Sequence, residues 1–280
     1  MGLSGFAERL FAGRWIAGPH TSDAIARARE LNGMGIKAII NYLGEGVKDR
    51  EAVDRVMETY AELIGEVGRS GVRADISVKP TELGMLVDRK LLYSNYRTIV
   101  RRAKRRGIFV WIDMEESKYV TETIKLYESM AGSGNTGICV QSYLKRSAAD
   151  LKELHRHSST VRLVKGAYGG TEKEAYQNRR DTTDNYYRLM PYLFANFRRF
   201  TIATHDTDII ETAVRMNRKH RRDVTYAMLT GIRMRYAAEL ARREKVSVYV
   251  PFGEQWIKYS YRRIKELSNF ILITRSLFGG

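Results

Sequence analysis

The chain has 280 residues, 44% hydrophobic and 29% charged, with 48 Lys and Arg against 32 Asp and Glu, a net charge of +16. That is an ordinary composition for a globular enzyme, long enough to bury a sizeable core, and four prolines with no Ser/Gly-rich tract leave no linker between independent domains. One cysteine excludes an intrachain disulfide framework, and no apolar run approaches the ~20 residues that span a bilayer.

Short β-branched runs recur along the chain, each followed by a segment with helical spacing of its apolar residues. Strands are expected at 36–41, 74–79, 108–113, 137–142, 161–165, 200–204, 224–228 and 246–250. Between them, helices are expected at 51–65, 91–106, 119–130, 148–155, 181–196, 208–219 and 234–243. Most strand runs are nearly continuous in apolar character, as parallel strands covered by helices are. Eight such units fit an α/β fold, a (β/α)8 TIM-type barrel, better than a doubly wound sheet. Residues 1–35 read as an N-terminal helical extension and 36–280 as the barrel domain, closed by a C-terminal helix over the active-site mouth.

Polar residues stand at nearly every strand's C-terminal end: Asn41, Lys79, Asp113, Gln141, Lys165, Thr204, His205 and Tyr249. Barrels carry their active sites at that end, so this pattern points to an enzyme. Asp113 needs a cation or a cluster of donors there, because burying a lone charge is costly. Arg162 and Lys165 are its candidate partners, one of them a rim charge by strand alternation. Gly166 and Ala167 leave room above the fifth strand for a planar ligand. On the last long helix, Tyr259, Arg262, Arg263 and Glu266 fall at i, i+3, i+4 and i+7, and two guanidinium groups can fork onto a carboxylate.

Other features carry less. Gly132-Ser133-Gly134-Asn135-Thr136-Gly137 matches a dinucleotide fingerprint in letters, but it lies between a helix and a strand, the reverse of the order that such a turn needs. Gly33-Met34-Gly35 has the same fault, and both read as helix C-caps. His155 and His157 point to different helix faces, so no metal site is expected. Cys139 reads as a buried small hydrophobe, consistent with a reducing cytoplasm. The basic runs Arg101-Arg102-Ala103-Lys104-Arg105-Arg106 and Arg218-Lys219-His220-Arg221-Arg222 read as solvated helix ends or as contacts to an anionic membrane. No recognition helix or aromatic interleaving accompanies them, so nucleic acid is not expected as a partner.

Seven segments in one order resemble the proline dehydrogenase family, from about residue 41 to 269. They are Leu43-Gly44-Glu45, Ile76-Ser77-Val78-Lys79, Ile112-Asp113-Met114-Glu115-Glu116, Val140-Gln141-Ser142-Tyr143, Arg162-Leu163-Val164-Lys165-Gly166-Ala167-Tyr168, Ala203-Thr204-His205-Asp206 and Tyr259-Ser260-Tyr261-Arg262-Arg263. The resemblance implies a distorted barrel that binds FAD across the ends of strands 4 to 6. It also implies oxidation of L-proline to 1-pyrroline-5-carboxylate, the first step of proline catabolism. Asp113 and Arg162 match the family's active-site pair. Lys79, Arg262 and Arg263 match the cations that hold the substrate carboxylate, and Tyr249 and Leu229 match residues that pack on its ring. Met114, Gln141, Arg162, Lys165, Gly166, Ala167, Thr204 and His205 match the flavin-contacting positions. Glu45 matches an acidic partner of Arg262 that gates the site.

The sequence departs from the family's pattern at Asp206, where Asn is frequent, and at Thr225 and Ala227, where Glu and Gln are. A quinone or another acceptor is expected to take the electrons, and the basic patches are expected to give an otherwise cytoplasmic protein peripheral membrane contact. No aldehyde dehydrogenase module is expected within this length, so pyrroline-5-carboxylate dehydrogenase is expected as a separate downstream enzyme. The competing substrate is another secondary-amine acid such as hydroxyproline.

Overall fold

The structure, a computed structural model, describes residues 15–44 and 46–255. Eight parallel strands close on themselves in chain order, β1 pairing with both β2 and β8. They are β1 (Lys37–Tyr42), β2 (Ala74–Val78), β3 (Val110–Ile112), β4 (Thr136–Gln141), β5 (Val161–Val164), β6 (Arg199–Ala203), β7 (Asp223–Leu229) and β8 (Lys245–Phe252). The helices are α1 (Thr21–Gly33), α2 (Arg50–Ser70), α3 (Arg89–Lys104), α4 (Val120–Ala131), α5 (Ser147–Arg156), α6 (Arg179–Asn196), α7 (Thr207–His220) and α8 (Met234–Ala241). The (β/α)8 reading therefore holds, and α1 packs on both β1 and β8.

Most boundaries shift by a residue or two from the sequence expectation, and two of the differences have a clear physical reason. α2 runs on past Gly65 and Gly68 to Ser70, because Val67 continues its buried stripe; it stops at Gly71, whose φ of 68° suits a residue without Cβ. β3 is only three residues long, yet the Asp113 N–H still bonds the Val78 carbonyl, and alternation from Phe109 and Trp111 turns its side chain into the barrel. Asp49, Asp88, Asn178 and Asp206 each accept an N-terminal amide of α2, α3, α6 and α7, which satisfies donors that the helix leaves unpaired.

Strand alternation divides the apolar residues between two cores. Ile40, Ile76, Val110, Ile138, Leu163, Ile202, Tyr226 and Val248 join the layer under the helices. Ile39, Phe109, Trp111 and Tyr249 form a separate cluster inside the barrel. Gly137 pairs with Trp111, and a Cβ there would lie 2.5 Å from the indole, so glycine makes the space that Trp111 fills. Arg101, Arg102, Lys104, Arg105 and Arg106 lead into β3, and Arg218 to Arg222 lead into β7. Both basic runs therefore sit at the strands' N-terminal end, opposite the mouth.

The two glycine-rich segments lie where helices turn into strands, after α4 and after α1, with Gly134 at φ 78° and Gly35 at φ 79°. They are helix stops. Among the described residues no group of His, Cys, Asp or Glu could hold a metal ion, and no helix is long and apolar enough to cross a membrane.

Candidate active site

Asp113 is the hub of the mouth. Its backbone N–H bonds to the Val78 carbonyl at 2.9 Å, which fixes the residue just beyond β3. Its Oδ1 accepts from Ser77 Oγ at 2.7 Å and from Arg162 Nη2; its Oδ2 accepts from Tyr249 Oη at 2.6 Å and from Lys79 Nζ at 3.2 Å. Lys79 also donates to Asn41 Oδ1 at 2.7 Å and to Tyr249 Oη at 3.2 Å. β1, β2, β3, β5 and β8 thus converge on one carboxylate.

Burial alone would push the Asp113 carboxyl up. Lys79 and Arg162 outweigh it, with hydrogen bonds from Tyr249 and Ser77, and hold the group at about 2. Burial likewise works against charge on Lys79, but Tyr249, Asp113 and Glu82 keep it well above the usual lysine value. Burial and the Asp113 charge raise the Tyr249 phenol far above its ordinary range, so it stays a donor. The centre is an anion between two cations, with a neutral phenol beside it.

Arg162 lies inside the barrel, stacked 5.0 Å from the Trp111 ring and 5.5 Å from Tyr249. Its Nη2 also reaches Ser77 Oγ at 3.1 Å, and Nε donates to Cys139 Sγ at 2.9 Å. Cys139 is buried as expected, but the hydrophobe reading needs correction: its sulfur accepts from Arg162 and lies 3.7 Å from Asp113 Oδ1. Burial pushes its thiol up to about 12, so it remains protonated. Arg162 Nη1 is buried and has no hydrogen-bond partner among the described residues. A buried guanidinium with a spare N–H face suits an electron-rich planar group.

The ends of β4 to β6 form the adjoining wall. Gln141 Nε2 donates to the Glu115 carbonyl at 2.9 Å, beneath buried Met114. Lys165 is the rim charge of the pair: its Nζ bonds Asp206 Oδ2 at 2.9 Å and Thr183 Oγ1 at 3.0 Å. Asp206 therefore has a structural use here, as counter-ion and as cap of α7. Thr204 Oγ1 accepts from the Asp206 amide at 3.1 Å. The Leu229 amide donates to His205 Nε2 at 3.3 Å, so a neutral imidazole carries its proton on Nδ1.

One expectation changes. Gly166 has φ 102°, and a Cβ on it would lie 2.2 Å from Tyr143 Cδ1. The room left by its missing side chain is thus taken by Tyr143 and is not an open slot for a ligand. Ala167 beside it is half-buried. Glu45, Tyr259, Arg262, Arg263 and Glu266 lie outside the described residues, as does the expected C-terminal helix. Ser77 and Cys139 are the site residues that the sequence reading passed over. Alternation puts Ser77 on the face of Asn41 and Lys79, but only the strand pairing brings that face, and Cys139, to Asp113.

A family model described as proline dehydrogenase matches residues 24–269. The chain is 31% identical over 266 residues to proline dehydrogenase 1 of Bacillus subtilis subsp. natto, covering 93% of this chain and 88% of that one. It is 31% identical to the proline dehydrogenase of Deinococcus radiodurans, with 91% and 86% covered. Its fold matches the crystal structure of proline utilization A (PutA) from Bdellovibrio bacteriovorus inactivated by N-propargylglycine, at a TM-score of 0.89 and 21% identity. That match covers 99% of this chain and 35% of the other, so the chain corresponds to about a third of that longer protein. A barrel whose mouth gathers Lys79, Asp113, Arg162 and Tyr249, in a sequence related along nearly its whole length to these enzymes, belongs to the proline dehydrogenase family of oxidoreductases.

Proposed function

We propose that this chain oxidises L-proline to 1-pyrroline-5-carboxylate with bound FAD as the redox group. The observation that carries the reading is the Asp113 cluster at the barrel mouth. The relatives are named for proline, which favours it over hydroxyproline as the substrate.

The reaction takes a hydride from the ring carbon beside nitrogen and a proton from the nitrogen. Bound FAD would supply the acceptor for that hydride. Lys79, with Arg262 and Arg263, would hold the substrate carboxylate, and Tyr249 and Leu229 would pack against the ring. Fixing the carboxylate sets the donor carbon at reactive distance, where orientation supplies a large part of the rate. Asp113 keeps Lys79 and Arg162 charged and in place. Arg162 would set positive charge beside the cofactor, and Met114, Gln141, Lys165, Gly166, Ala167, Thr204 and His205 would line it. In this reading Glu45 pairs with Arg262 at the entrance.

Electrons would pass on to a quinone or another acceptor, and a pyrroline-5-carboxylate dehydrogenase would consume the product. Both basic runs lie at the end of the barrel away from the mouth, so a chain docked through them on an anionic membrane would face its site toward water. The purified protein should be yellow and should bleach on adding proline without oxygen. A colourless protein that neither binds FAD nor reduces a dye with proline would overturn the reading.

A further inference from the structure

Directly behind Lys79 lies a second carboxyl that the proposed reaction does not use. Glu82 ends the short turn Pro80–Glu82 and is fully buried. Its Oε2 is 2.8 Å from Tyr60 Oη, and Tyr60 Oη is in turn 2.9 Å from the Ser77 carbonyl oxygen. Two short oxygen–oxygen contacts meet at one phenol, which has a single hydrogen. The Ser77 carbonyl carries none, so the second hydrogen belongs on Glu82. With it there, Tyr60 Oη donates to Ser77 and accepts from Glu82 and, at 3.3 Å, from Asn41 Nδ2, which uses its full capacity.

The remaining surroundings agree. Among the described residues, Glu82 otherwise accepts only from the amides of Gly44 at 3.3 Å and Lys79 at 3.4 Å, both long for a charged acceptor. The Lys79 ammonium bonds Asn41, Asp113 and Tyr249, and none of its bonds goes to Glu82. Glu115 lies across Thr81, whose amide and hydroxyl it accepts at 3.0 and 2.6 Å, and Tyr42 approaches from β1.

We infer that Glu82 is held as a neutral acid donating to Tyr60, and that its ionisation loosens the grip of Lys79 on the substrate carboxylate. Lys79 and Arg162 against Asp113 leave one net positive charge at the mouth, and a second carboxylate behind Lys79 cancels it. Burial pushes the Glu82 carboxyl up to about 8 and the nearby Glu115 adds to this, although Lys79, Tyr60 and the Gly44 amide pull it down. Glu82 is thus a positioning residue whose proton sets the field at the clamp. It also bonds the amide of Gly44, tying the segment that begins the β1 exit loop to the same turn.

The first half of this inference stands alone; the second rests on the proposed oxidation of proline. Infrared spectroscopy of the wild-type holoenzyme should show a protonated carboxyl band at pH 7 that fades toward pH 9 and is missing in Glu82→Gln. The glutamine amide donates to Tyr60 as the acid does and stays neutral at every pH. The ratio of wild-type KM for proline to that of Glu82→Gln should therefore rise by roughly tenfold between pH 7 and 9. Tyr60→Phe, which leaves Glu82 in place, should move the infrared band because the acid's acceptor is gone. No such band at pH 7, or a band that ignores Tyr60→Phe, overturns the neutral acid. A KM ratio flat across this range overturns the link to the clamp. A chain that does not oxidise proline fails the earlier reading, while the spectra still decide the state of Glu82.

Discussion

Tyr249 Oη lies 2.6 Å from Asp113 Oδ2 although 136 residues separate them, because β8 and β3 face each other across a closed barrel. The phenol is one of four groups that hold the Asp113 carboxyl below its ordinary range, so its loss has a readable sign.

In Tyr249→Phe, the acid limb of stability should move to higher pH. Asp113 is lowered from 3.8 to about 2 in the folded protein, so its contribution is present above pH 3.8 and is lost as pH falls toward 2. Removing a donor raises the folded value and shrinks that contribution. Midpoints of thermal unfolding between pH 2 and 5 check this. A variant that parallels wild type across the window contradicts it.

Asp113→Ala removes the anion between Lys79 and Arg162 and leaves two cations facing each other inside the barrel. Breaking a buried pair in this way costs about 3–5 kcal/mol, and kcat/KM for proline should fall with it. Urea unfolding gives the stability loss, and Asp113→Asn, which keeps the shape, should lose less.

Gly166→Ala combines a left-handed backbone at φ 102° with a Cβ 2.2 Å from the Tyr143 ring. The strain and the clash should together cost about 2 kcal/mol or more. Flavin content after purification should drop as well, because Lys165 and Ala167 flank the position. Adding Tyr143→Ala should relieve the clash and leave the backbone strain, giving partial recovery.

Arg263→Met tests the paired guanidinium groups of Arg262 and Arg263. KM for proline should rise strongly while flavin content stays near wild type, since the side chain would touch substrate and not cofactor. Steady-state kinetics with a flavin absorbance measurement separates the two. An unchanged KM would mean that the Tyr259/Arg262/Arg263/Glu266 stripe is only a surface feature.

Much of the fold was legible because each unit announces itself locally. A β-branched run such as 224–228 and a 3.6-period stripe such as that of 208–219 are properties of neighbouring residues, and both elements stand within two residues of expectation. Asp113, Lys79 and Tyr249 were legible too, as polar residues toward the ends of apolar strands, and Arg162 as a basic residue within one. Ser77 and Cys139 were not. Each is a small residue within a strand, and only the register of a closed barrel shows that both face the same carboxylate.

The sequence by itself determined the number and order of the βα units and which polar residues stand at their ends, because hydrophobic periodicity is written in adjacent positions. It also carried the family resemblance, because the segments keep their residues and order. Tertiary structure alone decided which of Arg162 and Lys165 enters the barrel, that Tyr143 fills the space beside Gly166, and that Tyr60 and Glu82 stand behind Lys79. Those are contacts between elements, fixed only when eight strands close into a ring and bring residues distant in sequence into hydrogen-bond reach.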